Sequence, residues 1–286
     1  MPQITIRRAT PEDAPTCGVI CYQAFFDINT AHNFPPDLPS PEPAVGLLTM
    51  MFSHPGFYCV VAESDGRIIG SNCLDERSPI AGVGPITVET GAQNAGAGRK
   101  LMDAVLARAS ERKFAGVRLL QAAFHNRSLS LYTKLGFDAR EPISTMQGPP
   151  IQKPMEGFDV RPALLSDRAA CDVLCRKVHG HDRGGELADA IQQGTAKVVE
   201  HAGRITGYTS SMAFFGHSVA ETVRDMQALI SAADSFGGPG ILVPTRDAAL
   251  FRWCLENGLR VKYPMTLMSV GMYQEPVGSF LPSVLF

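Results

Sequence analysis

The stretch Gly84–Leu101, GPITVETGAQNAGAGRKL, decides how this chain is read. Its first half alternates as a strand does, with Ile86 and Val88 on one face and Thr87 and Glu89 on the other. Gln93-Asn94-Ala95-Gly96-Ala97-Gly98 is a turn of small residues. Beyond it, Leu101, Met102, Val105, Leu106 and Ala109 share one side of a helix. A strand that passes through glycines into a helix leaves several backbone N–H groups unpaired at the positive end of the helix dipole. Such a turn binds phosphate, and Gly96 and Gly98 carry no Cβ to hold an anion away from the backbone. Gly91 and Gly96 have the spacing of a nucleotide-triphosphate loop, but Ala97-Gly98 follows where Lys-Ser/Thr is needed. The third glycine of a dinucleotide fingerprint is replaced by Leu101.

Towards the N-terminus, Ile4–Arg7 alternates and reads as a strand. Thr10-Pro11-Glu12-Asp13 is a helix start, and the helix runs on through Cys17, Ile20, Cys21, Ala24 and Phe25. The proline-rich segment His32–Pro43 excludes regular structure over much of its length. By itself it reads as a rigid surface loop, with His32 and Asp37 among its polar groups. Phe57–Ala62 is a strand, Ser64-Asp65-Gly66-Arg67 a tight hairpin turn, and Ile68 begins a returning strand that ends near Leu74. Asp75-Glu76-Arg77 follows. On the other side of the central stretch, Gly116–Phe124 is a strand. It is followed by a helix with Leu129, Tyr132 and Leu135 in one stripe and Gly136 at its C-cap.

Gln93-x-x-Gly96-x-Gly98 resembles the pyrophosphate loop of the GCN5-related N-acetyltransferases, and Leu131-Tyr132-x-Lys134-Leu135-Gly136-Phe137 resembles that family's second motif. The order of strands and helices over residues 3–140 is similar too. The resemblance implies an α/β (α+β) fold and binding of acetyl-CoA (coenzyme A). It places Ile86, Thr87 and Val88 beside the thioester and pantetheine arm, and Gln93, Asn94, Ala95, Gly96, Ala97, Gly98, Arg99 and Lys100 around the pyrophosphate. Tyr132 matches the tyrosine that protonates the departing thiolate. An asparagine common in the family falls here on His125, with Asn126 next to it; either could take its place, with Ser128 close by. The resemblance makes Glu76 and Glu89, near strand ends that face the family's active site, the candidate bases, with Asp75 a third and His125 a candidate proton shuttle. It also implies that His32–Pro43 is a lid over the acceptor site, with His32 and Asp37 as its candidate polar groups.

Residues 141–157 are rich in Pro and Gly, with a possible short strand at Ile143–Met146. They divide the chain into residues 1–145, a linker 146–157, and residues 158–286. The second part repeats the first: at an offset of 154, Arg7, Ala9, Asp13, Cys17 and Cys21 map to Arg161, Ala163, Asp167, Cys171 and Cys175. No Gln/Arg-x-x-Gly-x-Gly lies between Gly207 and Gly237, and Cys254 stands where Tyr132 would. Two tandem acetyltransferase-type domains are expected, each a mixed, mostly antiparallel sheet flanked by helices. The second should be a degenerate copy that is structural or helps build the acceptor pocket.

The 286 residues suit two domains, and a net charge of −2 does not suggest nucleic acid as the main partner. No stretch has the apolar length of a membrane span and the N-terminus lacks a signal-peptide core, so a cytoplasmic protein is expected. Seven scattered cysteines read as buried small hydrophobes rather than metal ligands; no metal is expected. The apolar tail GSFLPSVLF is expected to dock on the core. The expected reaction is direct attack of a primary amine on acetyl-CoA in a ternary complex, with a small-molecule acceptor. Three rivals are a protein or peptide lysine acetyltransferase, a non-catalytic acyl-CoA sensor that binds without turnover, and a structural interaction protein.

Overall fold

The computed structural model describes residues 3–285. The first half consists of β1 (Ile4–Arg8), a 3-10 turn over Pro11–Asp13, α1 (Ala14–Ala31), α2 (Pro41–Ser53), β2 (Phe57–Ser64), β3 (Arg67–Asp75), β4 (Ile80–Val83), β5 (Thr87–Val88), α3 (Ala97–Glu111), β6 (Gly116–Ala122), α4 (Asn126–Lys134) and β7 (Asp138–Gln147). The second consists of β8 (Phe158–Pro162), α5 (Arg168–His179), α6 (Gly184–Gln192), β9 (Lys197–His201), β10 (Arg204–Thr209), β11 (Ser218–Ala220), α7 (Val223–Ser231), β12 (Ile241–Pro244), α8 (Ala248–Glu256), β13 (Arg260–Gly271) and β14 (Ser279–Leu281).

The strands form two mostly antiparallel sheets. One runs β1-β2-β3-β4-β6-β13-β7-β12, with β5 added to β3; the other runs β14-β11-β10-β9-β8. Helices cover both faces of the first sheet, so β2 is apolar from Phe57 to Ala62 rather than alternating. Val60 and Ala62 pack towards Leu101, Met102 and Val105 of α3. Cys59 and Val61 point the other way, to Cys17 and Cys21 of α1 and Leu48 and Met51 of α2. The seven cysteines are free and buried. No helix of the described residues is long and apolar enough to cross a membrane.

The duplicated opening is duplicated in its contacts. Arg7 holds Asp13 at 2.7 Å and Glu63 through Nε at 2.9 Å. Arg161 holds Asp167 and Glu200 at the same two distances. In both copies the Asp also accepts a backbone N–H three residues upstream, from Thr10 or Leu164, at 2.8 Å.

Three features differ from the sequence reading. The proline-rich segment is irregular only as far as Ser40, and Pro41 and Pro43 lie in the first turn of α2, where a missing N–H leaves no helical bond unmade. A further strand, β4, precedes the central stretch and pairs in parallel with β6. Residues 141–147 are not linker: β7 runs through them to Gln147, with β13 on one side and β12 on the other. Thus β13, from the second half of the chain, stands between β6 and β7 of the first.

Candidate active site

The central stretch creates a wedge in the first sheet. β4 and β6 are paired only from Ile80–Gly82 to Gly116–Arg118. Beyond that the chain turns through Gly84 and Pro85 and β5 pairs with β3 alone, leaving Leu119–Ala122 of β6 without a neighbour on that side. Val88 stands opposite Gly70, and Glu89 N–H bonds to the Ile69 carbonyl at 2.8 Å. By antiparallel alternation, the N–H and C=O of Val88 therefore point away from β3 into the wedge. The approach of β5 to β3 requires Gly70: a Cβ there would stand 2.5 Å from the Thr87 carbonyl oxygen.

The loop from β5 to α3 ends at Gly96, the N-cap of α3, in the left-handed region at φ 90°. No side chain caps this helix, and its first intrahelical bond runs from Lys100 N–H to the Gly96 carbonyl. The N–H groups of Ala97, Gly98 and Arg99 precede that bond. A Cβ on Gly96 would meet nothing within 4 Å, so the space in front of the turn is open. Gln93 folds the loop back, donating from Nε2 to the Val88 carbonyl at 3.1 Å and accepting from Arg127 of α4 at 2.7 Å. Uncapped N–H groups, an open approach and a glycine turn are the requirements of a pyrophosphate site, and the residues present fit one.

The wedge continues into a cavity of about 330 Å³. Ile86, Thr87, Val88, Gln93, His125, Ser128, Tyr132 and Asp37, all singled out in the sequence, line it together. Tyr132 is buried, packs on Phe137 with ring centroids 6.2 Å apart, and its hydroxyl bonds to no described residue. Burial raises its pKa above that of an ordinary tyrosine, so the hydroxyl keeps its proton at neutral pH. Burial lowers that of His125, with Arg127 adding to the effect, which favours a neutral imidazole. Ser128 Oγ donates to the His125 carbonyl at 2.9 Å and fixes the start of α4. Asp37 accepts from Asn29 Nδ2 at 2.9 Å; burial raises its pKa above the usual carboxylate range, and the Tyr263 hydroxyl and Asn29 only partly offset this.

Other expected site residues lie elsewhere. Glu76 is clamped by Arg108, at 2.7 Å and 3.1 Å, and does not line the cavity. Glu89 is turned to Arg67 at 2.7 Å, which lowers its pKa, and lies outside the cavity too. Asp75 is committed to Arg77. His32 is exposed at the end of α1, with Nδ1 2.9 Å from the Ile28 carbonyl, and touches the site only by stacking on Phe124. Lys100 turns back to the Ile4 carbonyl at 2.7 Å, and Arg99 lies 3.6 Å from Asp103 on the exposed helix surface. Of the two candidates near the second motif, His125 lines the cavity whereas Asn126 is exposed.

The sequence reading missed Asp27 and Arg127, and although it allowed the second half to help build the acceptor pocket, it named none of the residues that do so. Arg127 sits beside the quoted His125-Asn126 pair, and only its reach to Gln93 reveals its part. Tyr263 and Met265 of β13, Phe214 and Phe215, and Val284 and Leu285 of the tail line the same cavity. The tail is held by Val284 N–H to the Phe214 carbonyl at 2.9 Å and by Ser283 Oγ to the Phe215 carbonyl at 3.2 Å. The second copy has no equivalent wedge of its own. β14 pairs with β11, and the N-terminus of α7 is filled by its own cap, Thr222 with Asp225. Cys254, at the Tyr132 position, is buried.

No curated protein matches the chain. Among solved structures, a putative acetyltransferase from Pyrococcus horikoshii superposes with a TM-score of 0.73 at 19% identity, covering 94% of this chain and 89% of that one. A GCN5-related N-acetyltransferase from Sphaerobacter thermophilus gives 0.61 at 16% identity, with 95% and 96% covered. One from Anabaena variabilis gives 0.56 at 14%, with 93% and 72% covered. These likenesses extend the fold over both halves. The Acetyltransferase (GNAT) family model matches residues 22–137, the segment that holds the wedge, the glycine turn and Tyr132. That segment is therefore similar to the acetyltransferases of the GNAT family, and the fold of the whole chain is similar to that of solved acetyltransferases.

Proposed function

We propose that the protein transfers the acetyl group of acetyl-CoA to the primary amine of a small molecule, in a ternary complex built in the wedge and its cavity. The observation that carries this reading is the continuity of the cavity. It joins β5 and Gln93 of the cosubstrate side to a carboxylate, Asp37, and to apolar walls that the second half supplies. A recessed, largely apolar pocket of this size favours a small acceptor over a folded protein.

Bound acetyl-CoA supplies an activated acyl carbon. The N–H groups of Ala97, Gly98 and Arg99 hold the pyrophosphate, with the positive end of α3 behind them. The N–H of Val88 faces the charge that develops on the acyl oxygen. Asp37 attracts the acceptor as an ammonium ion and takes its proton, a transfer that its raised pKa favours. Tyr132 keeps its proton through burial and gives it to the departing sulfur. The second half acts as a wall of the acceptor pocket rather than as a second catalyst.

Calorimetric titration of acetyl-CoA and CoA into the wild type and a Gly96→Glu variant tests the reading. The substitution sets a carboxylate in front of the turn and forces a side chain into the left-handed region. About one equivalent should bind to the wild type and none to a variant that still melts cooperatively. CoA release on addition of amines then separates an enzyme from a sensor. Absence of acetyl-CoA binding by the wild type would end the proposal.

A further inference from the structure

The chemistry of the cavity wall narrows the acceptor, on the assumption that the reading above holds. Away from β5 the wall is apolar, with Phe25 and Leu38 from the first half and Phe214, Phe215, Met265 and Leu285 from the second. Phe124 and Tyr263 set their rings 6.1 Å apart at an interplanar angle of 79°, and Phe34 backs both at 4.4 Å and 6.1 Å. The carboxylates lining the cavity are Asp27 and Asp37, and Asp27 already accepts from Thr90 at 2.6 Å and Gln23 at 2.6 Å. Asp37 accepts a hydrogen bond from Asn29, with the Tyr263 hydroxyl close by.

Three buried polar atoms on the cavity lining, of Thr87, Gln121 and Tyr263, lack a well-formed hydrogen bond among the described residues. The hydroxyl of Tyr263, a residue 3% exposed, lies close enough to the Asp37 carboxylate to interact with it but makes no well-formed hydrogen bond. Gln121 Oε1, on a residue 2% exposed, is likewise unmatched, although its amide nitrogen is bonded to the His125 carbonyl and Ser128 Oγ. Buried groups of this kind normally have partners. A ligand amine can supply N–H donors to Asp37 and Gln121, and the Tyr263 hydroxyl can serve the same carboxylate.

We propose that the acceptor is a monoamine on an aromatic or similarly flat apolar body. Its amino group is received by Asp37 and its body lies against Phe124, Tyr263 and the apolar wall of the second half. A polyamine or a lysine-bearing peptide would bring further charges or backbone groups to a wall that offers them no partner. The second half of the chain is then the specificity element of an active site whose cosubstrate side belongs to the first.

The test compares CoA release with 2-phenylethylamine, butylamine, spermidine and a lysine-bearing peptide, in parallel with acetyl-CoA calorimetry. Burial of a phenyl ring should raise kcat/KM for 2-phenylethylamine roughly 10- to 100-fold over butylamine, with spermidine and the peptide lower still. Phe215→Asp, at a position 37% exposed and so tolerant of the change, should raise KM for 2-phenylethylamine about tenfold and leave acetyl-CoA affinity unchanged. Preference for spermidine or the peptide, equal use of butylamine, turnover of none of the four, or a Phe215→Asp enzyme with unchanged KM would overturn the acceptor assignment while acetyl-CoA still binds. Loss of acetyl-CoA binding in the wild type would instead remove the reading beneath it.

Discussion

At the scale of single residues, the site rests on two groups whose protonation is set by burial. Burial keeps the Tyr132 hydroxyl protonated, as the proposed proton donor must be, and raises the pKa of Asp37, the proposed acceptor of the amine's proton. Tyr132→Phe should lower kcat about 10²-fold, the usual contribution of one general acid, while acetyl-CoA affinity is retained. Single-turnover CoA release checks this; an unchanged rate would return Tyr132 to a purely packing role. Asp37 is effective only as the anion. Its raised pKa means that activity falls, as pH is lowered, above the range of an ordinary carboxylate. The amine also loses its neutral form in acid, so the diagnostic is the variant: Asp37→Asn should lower kcat/KM and remove that extra titration from the pH profile. A variant with the wild-type profile would exclude Asp37 as the base. Tyr132 was legible in the sequence because its motif is local. The placement of Glu76 and Glu89 away from the cavity was not, because each is held by an arginine distant in the chain, Arg108 or Arg67.

At the scale of elements, one comparison supports the proposal that only the first copy holds the cosubstrate. Helices α3 and α7 occupy matching places, yet their N-termini are satisfied differently. The turn before α3 is long, glycine-rich and uncapped, so its N–H groups are left for a ligand. α7 starts straight after β11, and Thr222 accepts from the Asp225 N–H while the Asp225 carboxylate accepts from the Thr222 N–H at 3.0 Å. This reciprocal cap spends those donors internally and puts an anion where a phosphate would sit. Thr222→Ala should therefore cost stability, about 1 kcal/mol as for other N-caps. Urea denaturation should show that loss, and calorimetry should show unchanged acetyl-CoA affinity. A variant that altered acetyl-CoA binding would mean that the second copy shares in the cosubstrate site. The missing loop was legible in the sequence. Its replacement by a cap, and the closing of the adjacent gap by β14, depend on pairing that single-chain patterns do not encode.

At the scale of the molecule, the two halves are bound by an exchange of strands. The pattern of repeats was legible because each copy keeps its own Arg-Asp-Glu cluster, but the repeats predict two self-contained units, whereas the sheet is shared. β13 fills the place between β6 and β7, and β12 lies on the far side of β7. Side chains reinforce the exchange: Arg77 of the first half bonds Asp189 of the second at 2.8 Å, and Arg246 of the second bonds Glu141 of the first at 2.7 Å. Residues 1–157 alone would leave β6 and β7 with unpaired edges and would strip Leu267 and Met268 from the core beneath them. Exposed edges of that length invite aggregation rather than a stable smaller domain. Expression of residues 1–157 alone should give insoluble protein or protein without a cooperative melt. Co-expression with residues 158–286 should restore both solubility and acetyl-CoA binding, because β13 then arrives from a separate chain. A fragment 1–157 that melts sharply and binds acetyl-CoA would show that β7 can pair with β6 directly. The acceptor pocket would then lose Tyr263 and the tail while the cosubstrate wedge survived, so the fragment would bind acetyl-CoA yet lose its preference among amines.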